Sequence, residues 1–94
     1  MSDELSFDWD KGNIQHIARH GVTPDEVEQV LWNDPLDIDF NAIGGEERWT
    51  SIGHTNLLRV LLVVWSMRDA SVRPITALEA SKVARREYLR AKGF

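Results

Sequence analysis

The chain of 94 residues contains no cysteine, only three prolines and no long apolar segment. The absence of cysteine excludes disulfide bonds and thiolate metal sites. The longest apolar run, Val60–Trp65, is far too short to cross a bilayer. Because no apolar segment follows Met1, we expect a cytoplasmic protein that does not associate with a membrane. A chain of this length is expected to form one domain, residues 1–94.

Charge is distributed unevenly along the chain, whose net charge is −4. Residues 1–50 contain twelve acidic and three basic residues, whereas residues 51–94 contain three acidic and eight basic ones. The basic half is able to contact the phosphates of a nucleic acid. Alternatively, the two halves neutralise each other within the fold. Charge alone does not distinguish these two interpretations.

Two short helices are predicted in the first third of the chain. The segment before Gly21 has apolar residues spaced three and four apart, and this glycine is suited to end a helix. Thr23 is followed three residues later by Glu26, which is the pattern of a capping box. We therefore expect helices near residues 12–20 and 24–33.

Five segments have the features of β-strands. The nearly continuous apolar segment Leu57–Trp65 is expected to be a central strand that is covered on both faces. Pro74 predicts an edge position or a bulge for the last strand. Short connections between the last four strands exclude parallel crossovers. The predicted strands are Leu5–Trp9, Asp37–Asn41, Arg48–Gly53, Leu57–Trp65 and Ser71–Ala77.

A third helix is predicted at the end of the chain. Thr76 and Glu79 have the spacing of a second capping box, so the helix should span residues 79–91. The resulting order of elements predicts an α+β fold, in which an antiparallel sheet of four or five strands packs with three helices.

Two histidines, His16 and His20, are four residues apart and share one face of the first predicted helix. This is the spacing of a two-histidine metal site. Such a site also needs a glutamate directly after the first histidine, where Ile17 stands, and a third ligand. We therefore expect no metal ion and no other cofactor. At the end of a helix, His20 is alternatively a residue whose partial positive charge suits the helix dipole.

Arginines accompany the predicted strands. A guanidinium binds phosphate in a bidentate geometry and stabilises charge that develops on it. RNA can be cleaved by attack of a 2′-hydroxyl on the adjacent phosphate, which requires a base, an acid and a cation but no metal ion. The alternative is that each arginine pairs with one of the many carboxylates. The arginines concerned are Arg48, Arg59, Arg68 and Arg73.

Several short motifs follow one another along the chain. They are the stretch Phe7–Val27, which includes FDWD and NIQHIARHGVTPDEV, then Asp34-Pro35, Gly45–Arg48, Ile52-Gly53, the apolar run ending at Arg68, and Arg73–Ala77. Over about residues 7–90, their order resembles the BrnT-like toxins, which are the ribonuclease half of type II toxin–antitoxin pairs.

The resemblance implies a RelE-like fold and a metal-independent endoribonuclease. Arg68 matches the arginine that closes the apolar strand of the family, so it is the first candidate for catalysis. His20 is the candidate acid or base, and Arg73 the second catalytic cation. The residues that we assign to RNA binding are Arg48, Arg59 and Arg85.

The resemblance also implies partners: an antitoxin encoded nearby, RNA, and DNA only through the antitoxin. Leu78 stands where family members usually have an arginine. The alternative function is therefore a non-catalytic binding module that associates with an antitoxin. If Arg68, Arg73 and His20 converge on one groove, an enzyme is favoured. Arginines that are each paired with an acid favour the module.

Overall fold

The computed structural model describes residues 5–94, in which three helices accompany an antiparallel sheet of four strands. This confirms the α+β architecture. The strands follow the order β1-β2-β3-β4 in the sheet. None of these helices is long and apolar enough to cross a membrane. The elements are α1 (Lys11–Ala18), α2 (Pro24–Trp32), β1 (Leu36–Ile43), β2 (Glu46–His54), β3 (Val60–Arg68), β4 (Ser71–Glu79) and α3 (Lys82–Lys92).

Both short helices begin at reciprocal caps. The Asp10 carboxylate accepts a hydrogen bond from the Asn13 amide, and the Asn13 side chain accepts one from the Asp10 amide, both at 2.9 Å. At α2, the Thr23 hydroxyl accepts from the Glu26 amide at 3.2 Å, and the Glu26 carboxylate accepts from the Thr23 amide at 3.0 Å. The capping box predicted at Thr23 is thus confirmed.

The sheet is covered on both faces. Side chains of α1 and α2 pack on one face, with Ile17 and Val27 against Leu61 of β3. Tyr88 of α3 packs on the opposite face, in a smaller cluster with Val60. The inner strand β3 therefore has apolar neighbours on both faces, as its continuous apolar sequence predicted.

Gly53 allows α2 to lie close to β2. A Cβ atom at this position would be 2.8 Å from Cγ1 of Val30 and 3.1 Å from Cβ of Pro35. Only a residue without a side chain fits at these distances, so this glycine determines how closely the helix and the strand approach.

The predicted strand Leu5–Trp9 forms only a single parallel bridge, between Phe7 and Val72 of β4. The Asp8 amide donates to the Val72 carbonyl at 2.8 Å. The parallel pairing does not continue, because the next backbone bond would need an N–H group at position 74, and Pro74 has none. Pro74 itself lies in an edge strand at a bulge, as expected.

The strand predicted at Leu57–Trp65 begins three residues later than expected, at Val60. Leu57 lies instead in an exposed turn, with 93% of its surface accessible. The amide and the carbonyl of Arg59 bond to Thr55, at 3.0 Å and 2.9 Å, and these bonds close the loop. Local hydrogen bonds therefore outweigh the apolar character of the segment here.

The capping box predicted at Thr76 was wrong. Thr76 lies within β4 opposite Val64, and the strand continues to Glu79, which pairs with Leu61. Pairing with the inner strand holds this segment extended, so the helix starts later, at Lys82. Its cap is Ser81, whose hydroxyl accepts from the Ala84 amide at 3.1 Å.

Candidate active-site groove

Two of the three predicted catalytic residues, Arg68 and Arg73, meet at one carboxylate. Nη1 of Arg68 is 3.3 Å, and Nη1 of Arg73 is 3.6 Å, from Oδ2 of Asp8. The Arg68 side chain is 58% exposed, whereas that of Arg73 is 24% exposed. More than half of the Arg68 side chain is thus accessible to solvent, whereas most of the Arg73 side chain is covered by protein.

Arg73 is also fixed to the start of α1. Its Nη2 atom is 2.9 Å from Oδ2 of Asp10, and its Nη1 atom donates to the Asp8 carbonyl at 3.4 Å. The pKa of Asp10 is lowered, first by the hydrogen bond from the Asn13 amide and further by Arg73, although desolvation opposes both. Asp10 is therefore a carboxylate at neutral pH, and Arg73 has a permanent counter-charge.

A groove runs beside Arg73 between α1 and the sheet. His16 of α1 and Arg48 of β2 line it together with Arg73 and Asp10, and we call these four residues the His16 groove. Arg48 is paired with Glu46 at 3.2 Å. Lys11 and Glu46 line the groove as well, so it contains three cationic side chains, one imidazole and two carboxylates.

A side-chain contact positions α1, and with it His16, against the edge of the sheet. The side-chain nitrogen Nδ2 of Asn13 donates to the backbone carbonyls of Asp8 and Pro74, both at 3.0 Å. Asn13 is only 5% exposed, so these bonds are shielded from water. His16 lies three residues after this anchor, and its ring consequently faces the groove.

The predicted catalytic residue His20 does not line the His16 groove. It lies beyond the end of α1, and its ring centroid is 5.7 Å from that of His16, in an edge-on arrangement. The sequence predicts no catalytic role for His16. Over residues 5–94, no three histidine, aspartate or glutamate side chains are grouped so that they could hold a metal ion.

Arg59, which was assigned to RNA binding, is engaged by protein groups. Its Nη1 atom contacts the Glu26 carboxylate oxygens at 2.9 and 3.0 Å and the Gly21 carbonyl at 2.9 Å, and its Nη2 atom is 3.4 Å from Glu79. Burial tends to raise the pKa of Glu26, but the bonds from Thr23 and Arg59 lower it overall. Arg59 therefore ties α2 to the sheet.

Arg85, also assigned to RNA binding, belongs to a group of cations on α3. The four members lie on one side of the helix, and we call them the α3 cationic face. In the part of the chain that the structure describes, no carboxylate lies within 4.0 Å of their charged groups. The members are Lys82, Arg85, Arg86 and Arg90.

Leu78 is remote from the two arginines that share Asp8. It lies on β4 opposite Leu62, five residues from Arg73, or about 16 Å along an extended strand. Leu62 packs against the cluster beneath α3. An arginine at position 78 would therefore lie beside α3 and not beside Arg68.

A second concavity, of about 250 Å³, lies on the face of the sheet that α2 covers. Its polar groups form a chain in which Trp65 Nε1 donates to the Ser51 hydroxyl at 2.9 Å, and this hydroxyl donates to Asp37 at 2.7 Å. None of the described residues that line it is cationic, so these residues are not suited to bind phosphate.

Comparison with protein families gives one match, over residues 9–83, to BrnT, described as the ribonuclease toxin of a type II toxin–antitoxin system. The matched range contains all four residues of the His16 groove and ends within α3. No individual curated protein matches the chain. Since the match covers most of the 94 residues, the chain belongs to the BrnT family of ribonuclease toxins.

Proposed function

We propose that this protein is a cytoplasmic endoribonuclease with a RelE-like fold, which cleaves RNA at the His16 groove without a metal ion. One observation carries the proposal. Arg73, held by two carboxylates, lines the same groove as His16 and Arg48. A fixed cation and an imidazole in one groove supply the cation and one of the two proton-transfer groups that phosphodiester cleavage by an internal hydroxyl requires.

In this reaction the 2′-hydroxyl oxygen of RNA attacks the adjacent phosphorus. The 2′-hydroxyl loses its proton to a base, and the leaving 5′-oxygen gains one from an acid. His16 is the first candidate for one of these roles. His20, whose ring centroid is 5.7 Å away, is the candidate for the other. The products are a 2′,3′-cyclic phosphate and a 5′-hydroxyl, so atoms and protons balance without a further reagent.

The arginines stabilise the negative charge that accumulates on the phosphate oxygens. Arg73 does so with little reorganisation, because Asp8 and Asp10 already fix its orientation. Arg48 contributes the second guanidinium of the groove. Arg68, which is mostly exposed, binds a neighbouring phosphate or assists at the scissile one.

Phosphates outside the cleavage site bind to the α3 cationic face, which includes Arg85. Its four cations have no carboxylate within ion-pair distance among residues 5–94, so they keep their full charge toward solvent. Arg59 contributes less to RNA binding than was expected from sequence, because it lines neither the His16 groove nor the α3 cationic face. Because these contacts are to phosphates, the affinity for RNA should fall as the salt concentration rises.

The family implies an antitoxin partner. We propose that this antitoxin is encoded nearby, covers the basic surface and alone contacts DNA. Co-expression of the neighbouring gene with this chain, followed by purification, tests the pairing. Failure to co-purify at low salt contradicts it.

Cleavage is tested with purified protein, a single-stranded RNA oligonucleotide and excess chelator. His16→Gln and Arg73→Lys should each reduce the cleavage rate about a hundredfold, because the first removes a proton-transfer group and the second replaces a bidentate guanidinium by a single ammonium. Arg19→Gln is the matched control, since this exposed residue lies at the end of the same helix and outside the groove. It should change the rate less than about twofold.

Thermal unfolding of each variant separates loss of activity from loss of structure. Folded His16→Gln and Arg73→Lys proteins that cleave as fast as the parent contradict the assignment to the His16 groove. In that case Arg68→Ala and His20→Ala decide whether the residues first predicted carry the reaction.

The second candidate function is the non-catalytic binding module. Its support is that Arg48, Arg59, Arg68 and Arg73 each have a carboxylate within 4.0 Å. In addition, Arg68 and His20 do not line the groove that contains Arg73, so the three residues do not converge on one groove. A parent protein that binds its antitoxin but leaves RNA intact, with and without added metal, would establish this function instead.

A further inference from the structure

Among residues 5–94, no strand lies beside the outer edge of β1. Within this range the strand pairs with β2 alone, and all eight of its residues are exposed. Outside the pairing with β2, no backbone hydrogen bond of the described chain involves residues 36–43. Half of the N–H and C=O groups of β1 are thus available to another extended segment.

Large apolar side chains flank this free edge on both faces of the sheet. Ile38 is 54% exposed and lies with Leu36 beside α3. Phe40 is 50% exposed and packs on Trp49, on the face opposite α3, with ring centroids 5.2 Å apart. Ile43, at the end of the strand, is 73% exposed. An added strand would find apolar contacts above and below its backbone.

The surface around this edge is acidic. Residues 34–48 contain five carboxylates and a single basic residue. Two of these carboxylates are paired, Glu46 with Arg48 and Asp34 with Lys92, and the other three have no basic side chain within 4.0 Å among residues 5–94. A second copy of the chain, paired through β1, would bring these carboxylates against each other, and like charges placed opposite destabilise a strand pair. The five acids are Asp34, Asp37, Asp39, Glu46 and Glu47.

We propose that the free edge of β1 binds an extended segment of a partner protein, in which apolar residues alternate with lysine or arginine. The backbone bonds of a fifth strand supply affinity, and the basic side chains make the segment specific for this acidic edge. The binding does not depend on the His16 groove, so it stands whether or not the protein cleaves RNA.

The probe is a capped eight-residue peptide of alternating valine and lysine, titrated into the full-length, isotope-labelled protein. The largest chemical-shift changes in the amide NMR spectrum should occur at residues of β1. Hydrogen exchange should slow about tenfold at every second amide of Leu36–Ile43, because a new strand shields alternate N–H groups. A valine–glutamate peptide of equal length is the charge control and should not bind.

Reversing one charge on β1 tests whether the acidic side chains of this strand attract the peptide. Asp39→Lys should weaken binding of the valine–lysine peptide about fivefold, since it replaces an attraction by a repulsion. Asp25→Lys, an exposed position on α2, is the matched control and should leave binding unchanged. If Asp39→Lys does not fold, Asp39→Asn should give about half the effect on the logarithm of the affinity.

Three results would overturn the proposal. The first is the absence of binding by the valine–lysine peptide, and the second is binding that leaves exchange of the β1 amides unchanged. The third is protection of these amides that rises with protein concentration alone, which would make a second copy of the chain the occupant.

Discussion

Nη2 of Arg73 lies 2.9 Å from Oδ2 of Asp10, while Oδ1 of the same carboxylate caps α1 by accepting a bond from the Asn13 amide at 2.9 Å. One residue therefore starts the helix and orients a cation of the His16 groove. The fold and the candidate site share this carboxylate, and a substitution that alters only one of its two bonds separates the two roles.

Asp10→Asn is such a substitution. Asparagine caps a helix about as well as aspartate, so the free energy of unfolding should fall by less than about 0.5 kcal/mol. The variant removes one of the two carboxylates that fix the orientation of Arg73, so RNA cleavage should slow about fivefold, well short of the loss for Arg73→Lys. Urea unfolding and the cleavage assay measure the two effects. A large loss of stability with unchanged cleavage would show that Asp10 serves the helix alone.

Gly53→Ala should destabilise the fold by about 2 kcal/mol, because the new methyl group meets Val30 at 2.8 Å in a packed region. Gly12→Ala is a milder comparison, since its nearest contact is a side-chain oxygen of Asp10 at 3.2 Å. Urea denaturation of the parent and of both variants gives the change in the free energy of unfolding for each substitution. Equal stability of Gly53→Ala and the parent would mean that α2 is not held as closely to β2 as the structure indicates.

Ser81→Ala should cost about 1 kcal/mol, the usual loss when a capping hydroxyl is removed, and Thr23→Ala a similar amount. Thr76→Ala should not shorten α3, because Thr76 lies in β4. Amide exchange in the first turn of α3 distinguishes these sites. Faster exchange there in Thr76→Ala but not in Ser81→Ala would restore the capping role that was predicted for Thr76.

Glu26 should make the fold sensitive to acid. Its pKa is lowered in the folded protein from an ordinary value of 4.5, so it binds a proton more readily when unfolded. The stability that the ionised Glu26 side chain gives to the fold is present above about pH 4.5 and is lost as the pH falls through the pKa of Glu26 in the folded protein.

Glu26→Gln should lower the free energy of unfolding by about 1 kcal/mol at pH 7, since it removes the charge partner of Arg59. The variant should also lose less stability than the parent between pH 6 and pH 3. Asp25→Asn is the control at an exposed neighbouring position. Parallel pH profiles for the parent and Glu26→Gln would show that the pair with Arg59 does not stabilise the fold.

Elements that local chemistry determines were predictable from sequence. The Thr23–Glu26 box joins two residues three positions apart and forms as predicted. Thr76–Glu79 has the same local pattern, yet pairing with β3 holds it as a strand. The failed prediction shows that a capping pattern decides the structure only where no neighbouring strand competes for the same backbone.

The candidate site depends on contacts that no local pattern encodes. The side chain of Asn13 bonds to the carbonyl of Pro74, 61 residues away, and this contact turns His16 toward the groove. From helical spacing alone, His16 and His20 were equivalent. The meeting of Arg68 and Arg73 at Asp8 likewise depends on how the segment before α1 crosses the edge of the sheet.

The chemistry of the RNA ends tests the central claim most directly. The purified protein is incubated with a defined RNA oligonucleotide in excess chelator, and the products are analysed by mass spectrometry. Attack by the 2′-hydroxyl predicts fragments with a 2′,3′-cyclic phosphate and a 5′-hydroxyl, and a substrate with a 2′-deoxy group at the cleaved position should remain intact. Fragments with a 5′-phosphate, or cleavage that appears only when a divalent metal is added, would contradict a metal-independent ribonuclease at the His16 groove.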